Sequence, residues 1–298
     1  MKFIIGYPEI TGSAGDLLDS GDMGPLAAAS EKAGWEGFAL TEHPIPGARW
    51  LDTGGHQTID PFIGLSFAAA ATERIKLLTY LTVVPYRNPF MLAKIAATLD
   101  RLSHGRLILG VGTGYQKSEY FALGIDIDER NALFDEALEV MPLAWKGEPF
   151  SYKGIHFDAR DVIAKPVPAQ NPIPIWIGGN AKLTLRRVAA KAQGWMPLSG
   201  PPELAVTAKT AHIATMDDLR IKIDQLKEDA GGRHIDIAHS YIDWSIRDLG
   251  VDVERHRQTI AEYADAGIEW IHVEAPAGTP SQVIEWAQGF GETYITAK

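Results

Sequence analysis

The sequence contains no cysteine among its 298 residues, and this absence excludes several kinds of chemistry. Disulfide bonds, thiol nucleophiles and cysteine-ligated metal sites all require a thiol. A chain without cysteine fits the reducing cytoplasm, where we expect this protein to be located. The histidines show no His-x-His or His-x-x-x-His spacing of the kind that metal hydrolases use. The sequence therefore predicts a site without a bound metal.

The chain also lacks a surplus of positive charge and any long apolar run. Its formal net charge is −10, which argues against binding to nucleic acid or to an anionic membrane. No stretch approaches the roughly 18 apolar residues of a membrane helix. The segment 1–8 is too short for the apolar part of a signal peptide, so it is interpreted as a first strand. An anionic ligand would need local cations or helix N-termini.

Eight apolar runs alternate with eight helical patterns along the chain. The predicted strands are 3–8, 37–42, 75–84, 106–112, 173–178, 194–198, 235–243 and 268–275. The predicted helices are 22–34, 60–73, 89–103, 129–146, 180–193, 215–230, 251–266 and 281–290. Strict alternation without an internal break predicts an α/β fold, with one closed parallel (β/α)8 barrel over residues 1–298 as a single domain.

The connections between these elements are unequal in length. Before the fifth strand, residues 150–157 predict a small hairpin that turns at Lys153 and Gly154. This insert belongs to the bottom of the barrel, so its His156 is interpreted as structural. Long segments from a strand to the next helix lie at the top, where substrate loops occur. They are 9–21, 43–59 and 199–214.

Glycines follow two of the predicted strands. After the fourth strand, Gly110-Val-Gly-Thr-Gly114 lacks the spacing and the acidic partner of a dinucleotide-binding fingerprint. Gly112 and Gly114 would still let a flat ring or a phosphate lie on the backbone, with Tyr115 and Gln116 as polar walls. A tight turn with nothing bound explains these glycines equally well.

After the fifth strand, Gly178 and Gly179 would expose backbone N–H groups, and Asn180 would cap the following helix. Lys182 in the first helical turn opposes the helix dipole, unless a bound anion makes the two cooperate. The pattern favours a phosphate site, as is common after the late strands of this fold. A solvated surface lysine is the alternative.

Glu42-His43-Pro44 ends the second strand. Pro44 keeps His43 extended at the carboxyl end of that strand, where barrel enzymes place catalytic residues. We therefore expect His43 to exchange a proton with the substrate, although a hydrogen-bonded structural histidine is the alternative. Glu42 and Glu274 end two different strands, so a carboxylate-pair hydrolase is a further possibility.

Several ordered segments resemble the luciferase-like superfamily of flavin and deazaflavin oxidoreductases. Within it, the chain is most similar to the group that depends on coenzyme F420, a 5-deazaflavin, although members that use FMN share most of the same motifs. The segments that carry the resemblance are 34–43, 74–81, 85–89, 99–115, 174–180 and 194–197.

The resemblance implies that the ring lies at the top of the barrel, against a bulge in the third strand with a cis peptide at Tyr80-Leu81. It implies an acid–histidine catalytic pair of Glu42 and His43, with glutamate in place of the usual aspartate. Pro201 replaces a family lysine that binds the tail of the cofactor. The implied cofactor-binding residues are Tyr80, Leu81, Thr82, Gly112, Thr113, Gly114, Tyr115, Gln116, Gly178, Gly179, Asn180, Ala181, Ser199 and Gly200.

The implied activity is hydride transfer between a bound deazaflavin and a small organic substrate. An FMN-dependent monooxygenase, which uses oxygen and needs a flavin reductase as partner, is the alternative. A further alternative is a catalytically inert barrel that binds a phosphorylated ligand. The candidate substrate-side residues are Glu9, Trp50 and Tyr241.

The second and third predicted helices are apolar around most of their circumference. An outer helix of a barrel needs one apolar stripe, so the extra apolar surface indicates packing between subunits. Members of the superfamily often pair through these same two helices. We therefore expect a homodimer through 60–73 and 89–103, with deeper burial against the barrel as the alternative.

Overall fold

The strands are apolar on both faces because helices cover them on one side and the barrel interior on the other. The computed structural model describes residues 1–296. Within that range the strands are β1 (Lys2–Gly6), β2 (Gly37–Leu40), β3 (Lys76–Thr79), β4 (Thr82–Val83), β5 (Leu107–Gly112), β6 (Phe150–Lys153), β7 (Asp158–Val162), β8 (Ile175–Gly178), β9 (Gly194–Met196), β10 (Asp236–Ser240) and β11 (Trp270–Glu274).

Nine of these strands form one parallel sheet that closes on itself. The order is β3-β2-β1-β11-β10-β9-β8-β5-β4, and the pairing of β3 with β5 completes the circle. Because β4 continues the third strand after a break, the sheet has eight positions around the barrel. The predicted (β/α)8 barrel is confirmed. We call the end where the parallel strands finish the mouth of the barrel.

Helices surround the sheet and begin at the predicted caps. Asp60 accepts hydrogen bonds from the backbone of Phe62 and Ile63, and Asn88 accepts one from Phe90. No helix of residues 1–296 is long and apolar enough to cross a membrane. The helices are α1 (Met23–Lys32), α2 (Ala48–Asp52), α3 (Pro61–Ala71), α4 (Pro89–Leu102), α5 (Lys117–Ala122), α6 (Arg130–Trp145), α7 (Lys182–Lys191), α8 (Pro202–Thr207), α9 (Met216–Asp229), α10 (Val253–Asp265) and α11 (Pro280–Phe290).

Apolar side chains fill the lower interior of the barrel. They form one buried layer to which each of the eight strand positions contributes one residue. The layer consists of Ile4, Ala39, Leu78, Ile108, Trp176, Met196, Ala238 and Trp270. A packed interior leaves the mouth as the place for a site.

The third strand breaks at Tyr80-Leu81, whose peptide bond is cis, as the resemblance predicts. The Leu81 side chain lies against two glycines of neighbouring strands. A Cβ atom would come within 2.6 Å of Leu81 at Gly112 and within 2.3 Å at Gly178. These glycines are therefore required by the packing of the broken strand, whatever else binds there.

The predicted insert before β8 is an antiparallel hairpin of β6 and β7. It is longer than predicted, because its second strand continues to Val162 and its turn extends from Gly154 to Phe157. Nδ1 of His156 lies 2.7 Å from Glu136 and Nε2 lies 3.0 Å from Glu129, on and just before α6. His156 thus ties the hairpin to that helix and is structural, as predicted.

Candidate active site

His43 lies just beyond β2 and is held there by its own backbone. Its N–H donates to the hydroxyl of Thr58 at 2.8 Å, and that hydroxyl donates back to the His43 carbonyl at 3.1 Å. The imidazole is buried, with Nδ1 3.3 Å from both carboxylate oxygens of Glu119. Within residues 1–296, Nε2 has no hydrogen-bond partner, so that nitrogen is available to a ligand.

Glu119, on the short helix α5, is the acid that orients His43. It is fully buried and also accepts a hydrogen bond of 2.7 Å from the hydroxyl of Tyr86. Burial, together with the Glu119 carboxylate, raises the pKa of Tyr86, so this tyrosine stays a neutral donor. Glu119 cannot be recognised from sequence spacing, because it follows β5 and lies 76 residues after His43.

Aromatic rings surround His43. The distances from its ring centre are 4.7 Å to Trp50, 5.2 Å to His56 and 5.9 Å to Tyr115. Burial, with a smaller contribution from His43, lowers the pKa of His56 to about 4, and burial raises the pKa of Tyr115 to about 12. Both residues are therefore neutral at pH 7. Of the residues predicted from sequence, Trp50 and Tyr115 lie beside His43. His56, which was not predicted, lies there too.

Glu9 reaches the same side of the mouth. Its carboxyl oxygens lie 3.2 Å from Nδ1 of His56 and 3.4 Å from the hydroxyl of Thr41. Burial, together with the nearby charge of Glu274 at the end of β11, raises the pKa of Glu9 well above its usual value. Arg247 donates to Glu274 at 3.0 Å.

Tyr80 stacks on His272 across the mouth, with ring centres 4.2 Å apart and planes tilted by 11°. The Tyr80 hydroxyl lies 3.1 Å from that of Ser240, which lies 3.4 Å from Nδ1 of His272. Burial lowers the pKa of His272 to about 3 and raises that of Tyr80 to about 12. The result is a neutral, partly apolar floor suited to a flat ring. Ser240 and His272 were not identified from sequence.

The glycine turn after β8 leads to the N-terminus of α7. Gly179 has a φ of +106°, and a Cβ there would lie 3.6 Å from the Thr210 hydroxyl and 3.7 Å from that of Thr184. The helix begins at Lys182 after Ala181, which provides no side-chain cap. Its first N–H groups therefore have no capping side chain, and two hydroxyl groups lie next to them.

Asn180 was expected to cap that helix, but it does not. Its amide donates to the carbonyls of Leu198 and Ala211, each at 2.7 Å, and its amide oxygen accepts from the Leu198 N–H at 2.9 Å. Its own N–H donates to Thr210. Asn180 is therefore a clamp that holds the loop after β9 beside the turn.

Two of the predicted cofactor residues carry buried polar atoms without a partner among the described residues. These atoms are Oγ of Ser199 and Nε2 of Gln116. A buried polar group without a hydrogen bond is costly, so such groups indicate a ligand. Together with the uncapped α7 terminus and the floor at Tyr80, they fit a group with a flat ring and an anionic tail.

Glu42 and Thr82 face each other instead of the mouth. The Thr82 hydroxyl donates to Glu42 at 2.9 Å and the Val83 N–H donates to it at 2.7 Å, while Arg87 pairs with the other oxygen. Burial raises the pKa of Glu42, against the opposing effect of Arg87. Glu42 thus anchors β4, and the acid beside His43 is Glu119. Glu42 and Glu274 have separate cationic partners, which gives no support to a carboxylate-pair hydrolase.

Tyr241 lies outside the mouth, contrary to the expectation from sequence. It follows β10 with its side chain packed among the surrounding helices, and its hydroxyl lies 2.8 Å from Nδ1 of His256. Alternation along the strand places Ser240, one residue earlier, on the inner face.

The backbone of three other predicted residues serves local packing. Gly114 lies against Val83, the Thr113 carbonyl accepts from Tyr120, and the Gly200 carbonyl lies 3.1 Å from His212.

A parallel barrel with an acid-held histidine at its mouth defines an enzyme of the (β/α)8 class. The family model described as luciferase-like monooxygenase matches residues 10–217. The chain therefore belongs to the luciferase-like monooxygenase family, and it is an oxidoreductase of that family.

Two proteins similar to this chain differ in how their function is described. An uncharacterised protein of Mycobacterium tuberculosis (strain H37Rv) is 34% identical over 199 residues, covering 61% of this chain and 71% of the relative. A protein of Microbacterium testaceum described as an F420-dependent glucose-6-phosphate dehydrogenase is 30% identical over 213 residues, covering 70% of this chain and 60% of that enzyme.

Solved structures share the fold at low identity. The monooxygenase RslO1 of Streptomyces bottropensis superposes with a TM-score of 0.76 at 21% identity, over 98% of each chain. An F420-dependent secondary alcohol dehydrogenase, in complex with an F420–acetone adduct, gives 0.71 at 18% over 98% of each chain. The FMN-bound oxygenating constituent of a Pseudomonas putida diketocamphane monooxygenase gives 0.63 at 19%, over 90% of this chain and 79% of that chain. A flavin or deazaflavin cofactor is thus supported.

Proposed function

We propose that this protein transfers a hydride between bound coenzyme F420 and a small organic substrate. The observation that carries the proposal is the His43–Glu119 pair, which leaves Nε2 of His43 without a partner at the mouth. Similarity to a relative described as F420-dependent supports the deazaflavin over FMN, and so does the likeness to an F420-dependent alcohol dehydrogenase.

Different residues of the mouth would bind the ring, bind the anionic tail and transfer the proton. When bound, the deazaflavin supplies a carbon that accepts or donates the hydride. Tyr80 and Leu81 form the floor for its ring, while Ser199 and the N-terminus of α7 would hold the anionic tail. Nε2 of His43 takes or returns the proton that accompanies the hydride, and Glu119 keeps the ring in place.

A direct comparison of cofactors tests this function. In fluorescence titrations of the purified protein, we expect the deazaflavin to bind at micromolar or lower concentration and FMN to bind much more weakly. Ser199→Ala should weaken deazaflavin binding several-fold, because the buried hydroxyl loses its partner. Ser151→Ala on the exposed hairpin strand is the matched control and should leave binding unchanged. FMN binding at least as tight as deazaflavin binding would contradict the proposal.

The second candidate is an FMN-dependent monooxygenase, which would use oxygen and receive reduced flavin from a reductase partner. It is favoured by the likeness to the FMN-bound oxygenating protein. The same titration decides between the two.

We also propose that the protein is a homodimer through α3 and α4. These adjacent helices expose large apolar side chains to solvent, at Ile63 (65% exposed), Phe67 (65%) and Met91 (59%). Exposed apolar side chains on two neighbouring helices are typical of an interface with another protein.

A further inference from the structure

Three side chains of metal-ligating type meet at the end of the barrel opposite the mouth. His234 precedes β10, Asp236 is the first residue of that strand, and Glu269 immediately precedes β11. Nε2 of His234 lies 3.4 Å from Oδ1 of Asp236 and 3.5 Å from Oε2 of Glu269. One ligand atom from each side chain lies within 4.8 Å of the other two. Spacing between histidines does not reveal this cluster, because two of its members are carboxylates.

The backbone beside His234 is fixed on both sides, although the imidazole itself is exposed. The guanidinium of Arg233 donates to three backbone carbonyls at the C-terminal end of α7, at distances of 2.6 to 3.2 Å. Ile235, on the other side, is buried in the core. The base of the imidazole is therefore held in place while its ring faces solvent.

Two neighbouring strands place the carboxylates. β10 and β11 pair in parallel, and the Glu269 N–H donates to the carbonyl of Ile237 at 3.0 Å. The indole N–H of the buried Trp270 donates to Oδ1 of Asp236 at 3.2 Å. An outer hydrogen bond of this kind commonly orients a metal ligand, and ligands on strands are held more precisely than ligands on loops.

The charge of the cluster is not balanced by a basic side chain. Among residues 1–296, neither Asp236 nor Glu269 forms an ion pair with a lysine or an arginine. Two carboxylates this close repel each other, and the imidazole of His234 offsets the repulsion only when it is protonated. A divalent cation would remove the repulsion and bind a lone pair from each of the three groups.

The chemistry and the spacing of the three groups fit zinc. Zinc binds imidazole nitrogen and carboxylate oxygen at about 2.0–2.2 Å in a tetrahedron, so its ligand atoms lie about 3.3–3.5 Å apart. Both distances from Nε2 of His234 match that separation. Magnesium and calcium prefer oxygen ligands alone, whereas an imidazole in the set favours zinc.

We propose that His234, Asp236 and Glu269 bind one Zn²⁺ ion, with a water molecule as the fourth ligand. The ion links the start of β10 to the start of β11, at the opposite end of the barrel from His43. The same two strands carry Ser240 and His272 toward the mouth. Fold stability, and not hydride transfer, therefore depends on the ion.

Zinc binding to the full chain tests the site. After treatment with EDTA and dialysis, calorimetric titration with ZnCl2 should show one site per chain with a Kd in the micromolar range or below. His234→Asn and Glu269→Gln should each weaken binding at least tenfold, because each removes a ligand. His104→Asn is the matched control, since His104 is an exposed histidine after α4 whose positive φ asparagine tolerates. It should leave binding unchanged.

Cobalt supplies a second readout, which depends on the geometry of the ligands. Tetrahedral Co²⁺ absorbs visible light far more strongly than octahedral Co²⁺. The wild type loaded with Co²⁺ should show the strong bands, and His234→Asn should lose them. Thermal melting in EDTA confirms that each variant is folded, and Glu269→Gln decides the question if His234→Asn does not fold.

Three outcomes overturn the proposal. They are no zinc binding at micromolar concentration, tight binding that survives both substitutions, and weakening by His104→Asn equal to that by His234→Asn. The last would show that zinc binds surface histidines in general. None of these measurements uses the deazaflavin, so the zinc site and the proposed function stand or fall separately.

Discussion

A single imidazole carries the proposed proton transfer, and its partner determines which nitrogen does so. Glu119 lies against Nδ1 of His43 at 3.3 Å, so the neutral ring keeps its proton on Nδ1 and presents Nε2 as the base. A buried acid that fixes one nitrogen of a histidine is a general way to orient a proton acceptor. Glu119 acts through His43 and is therefore a positioning residue.

Replacing His43 should slow turnover without removing the cofactor site. His43→Ala is expected to lower kcat by a factor of ~10²–10⁴, as for loss of a general acid or base. Deazaflavin affinity should stay within several-fold of wild type, because Tyr80, Ser199 and the start of α7 remain. Steady-state kinetics on a substrate that the F420-loaded protein turns over, with fluorescence titration of each variant, measure both quantities.

The matched control is His156→Ala, which removes an imidazole from the distant hairpin and should leave kcat unchanged. Glu119→Gln should lower kcat and alter the pH–rate profile, because an amide holds the imidazole less firmly than a carboxylate. A His43→Ala variant as fast as wild type would show that the proton passes through water or another side chain such as Tyr115.

The adjacency of Glu42 and His43 in sequence predicts a pair that the fold does not make. Consecutive residues of an extended strand point to opposite faces, so the glutamate turns toward Thr82 and Arg87 while the histidine turns toward the mouth. The true partner, Glu119, belongs to a different strand-to-helix loop. Only the closed barrel brings the two loops together, which is why local spacing could not identify it.

At the scale of elements, the break in the third strand depends on close approach by β5. A Cβ atom at Gly110 would lie 2.0 Å from the carbonyl oxygen of Thr79, and the Thr79 hydroxyl donates to the Gly110 carbonyl at 2.7 Å. The backbones of β3 and β5 thus touch where the strand is about to break at Tyr80. This contact places the ring floor beside the glycine end of β5.

Gly110→Ala should therefore destabilise the protein by about 3 kcal/mol or more, because a methyl group would have to displace backbone atoms and not a flexible side chain. Gly24→Ala on α1 is the matched control, since its Cβ would find its nearest neighbour at an ordinary 3.4 Å. That substitution should be neutral or stabilising, as alanine favours a helix. Urea unfolding of the three proteins measures the difference, and equal stabilities would refute the packing argument.

The strands and long helices were predictable because each shows its own period and punctuation. The Asp60-Pro61 and Asn88-Pro89 pairs begin α3 and α4 as their sequences indicate. The short helices α2, α5 and α8 span five or six residues, too few for a period to be recognised. The clamp made by Asn180 also could not be predicted, because its partners Leu198 and Ala211 come from a later loop.

At the scale of the whole molecule, the outer surface is unevenly apolar. Most of the barrel helices present one buried stripe, whereas α3 is apolar nearly all round, with Ile63 and Phe67 one turn apart and exposed. Met91, at the start of the neighbouring helix α4, is exposed as well. In a protein with a net charge of −10, such a patch is best explained by a second copy that covers it.

A charge placed in that patch should separate the two copies. Light scattering of the wild type at micromolar concentration is expected to give twice the chain mass of 32.5 kDa, and Phe67→Asp should give one chain mass, since an ionised carboxylate would be buried without a partner. Ile221→Asp on α9 is the matched control, because Ile221 is 67% exposed on a different helix, and it should remain a dimer. A monomeric wild type would refute the proposed assembly, and a dimer unaffected by Phe67→Asp would move the interface away from α3.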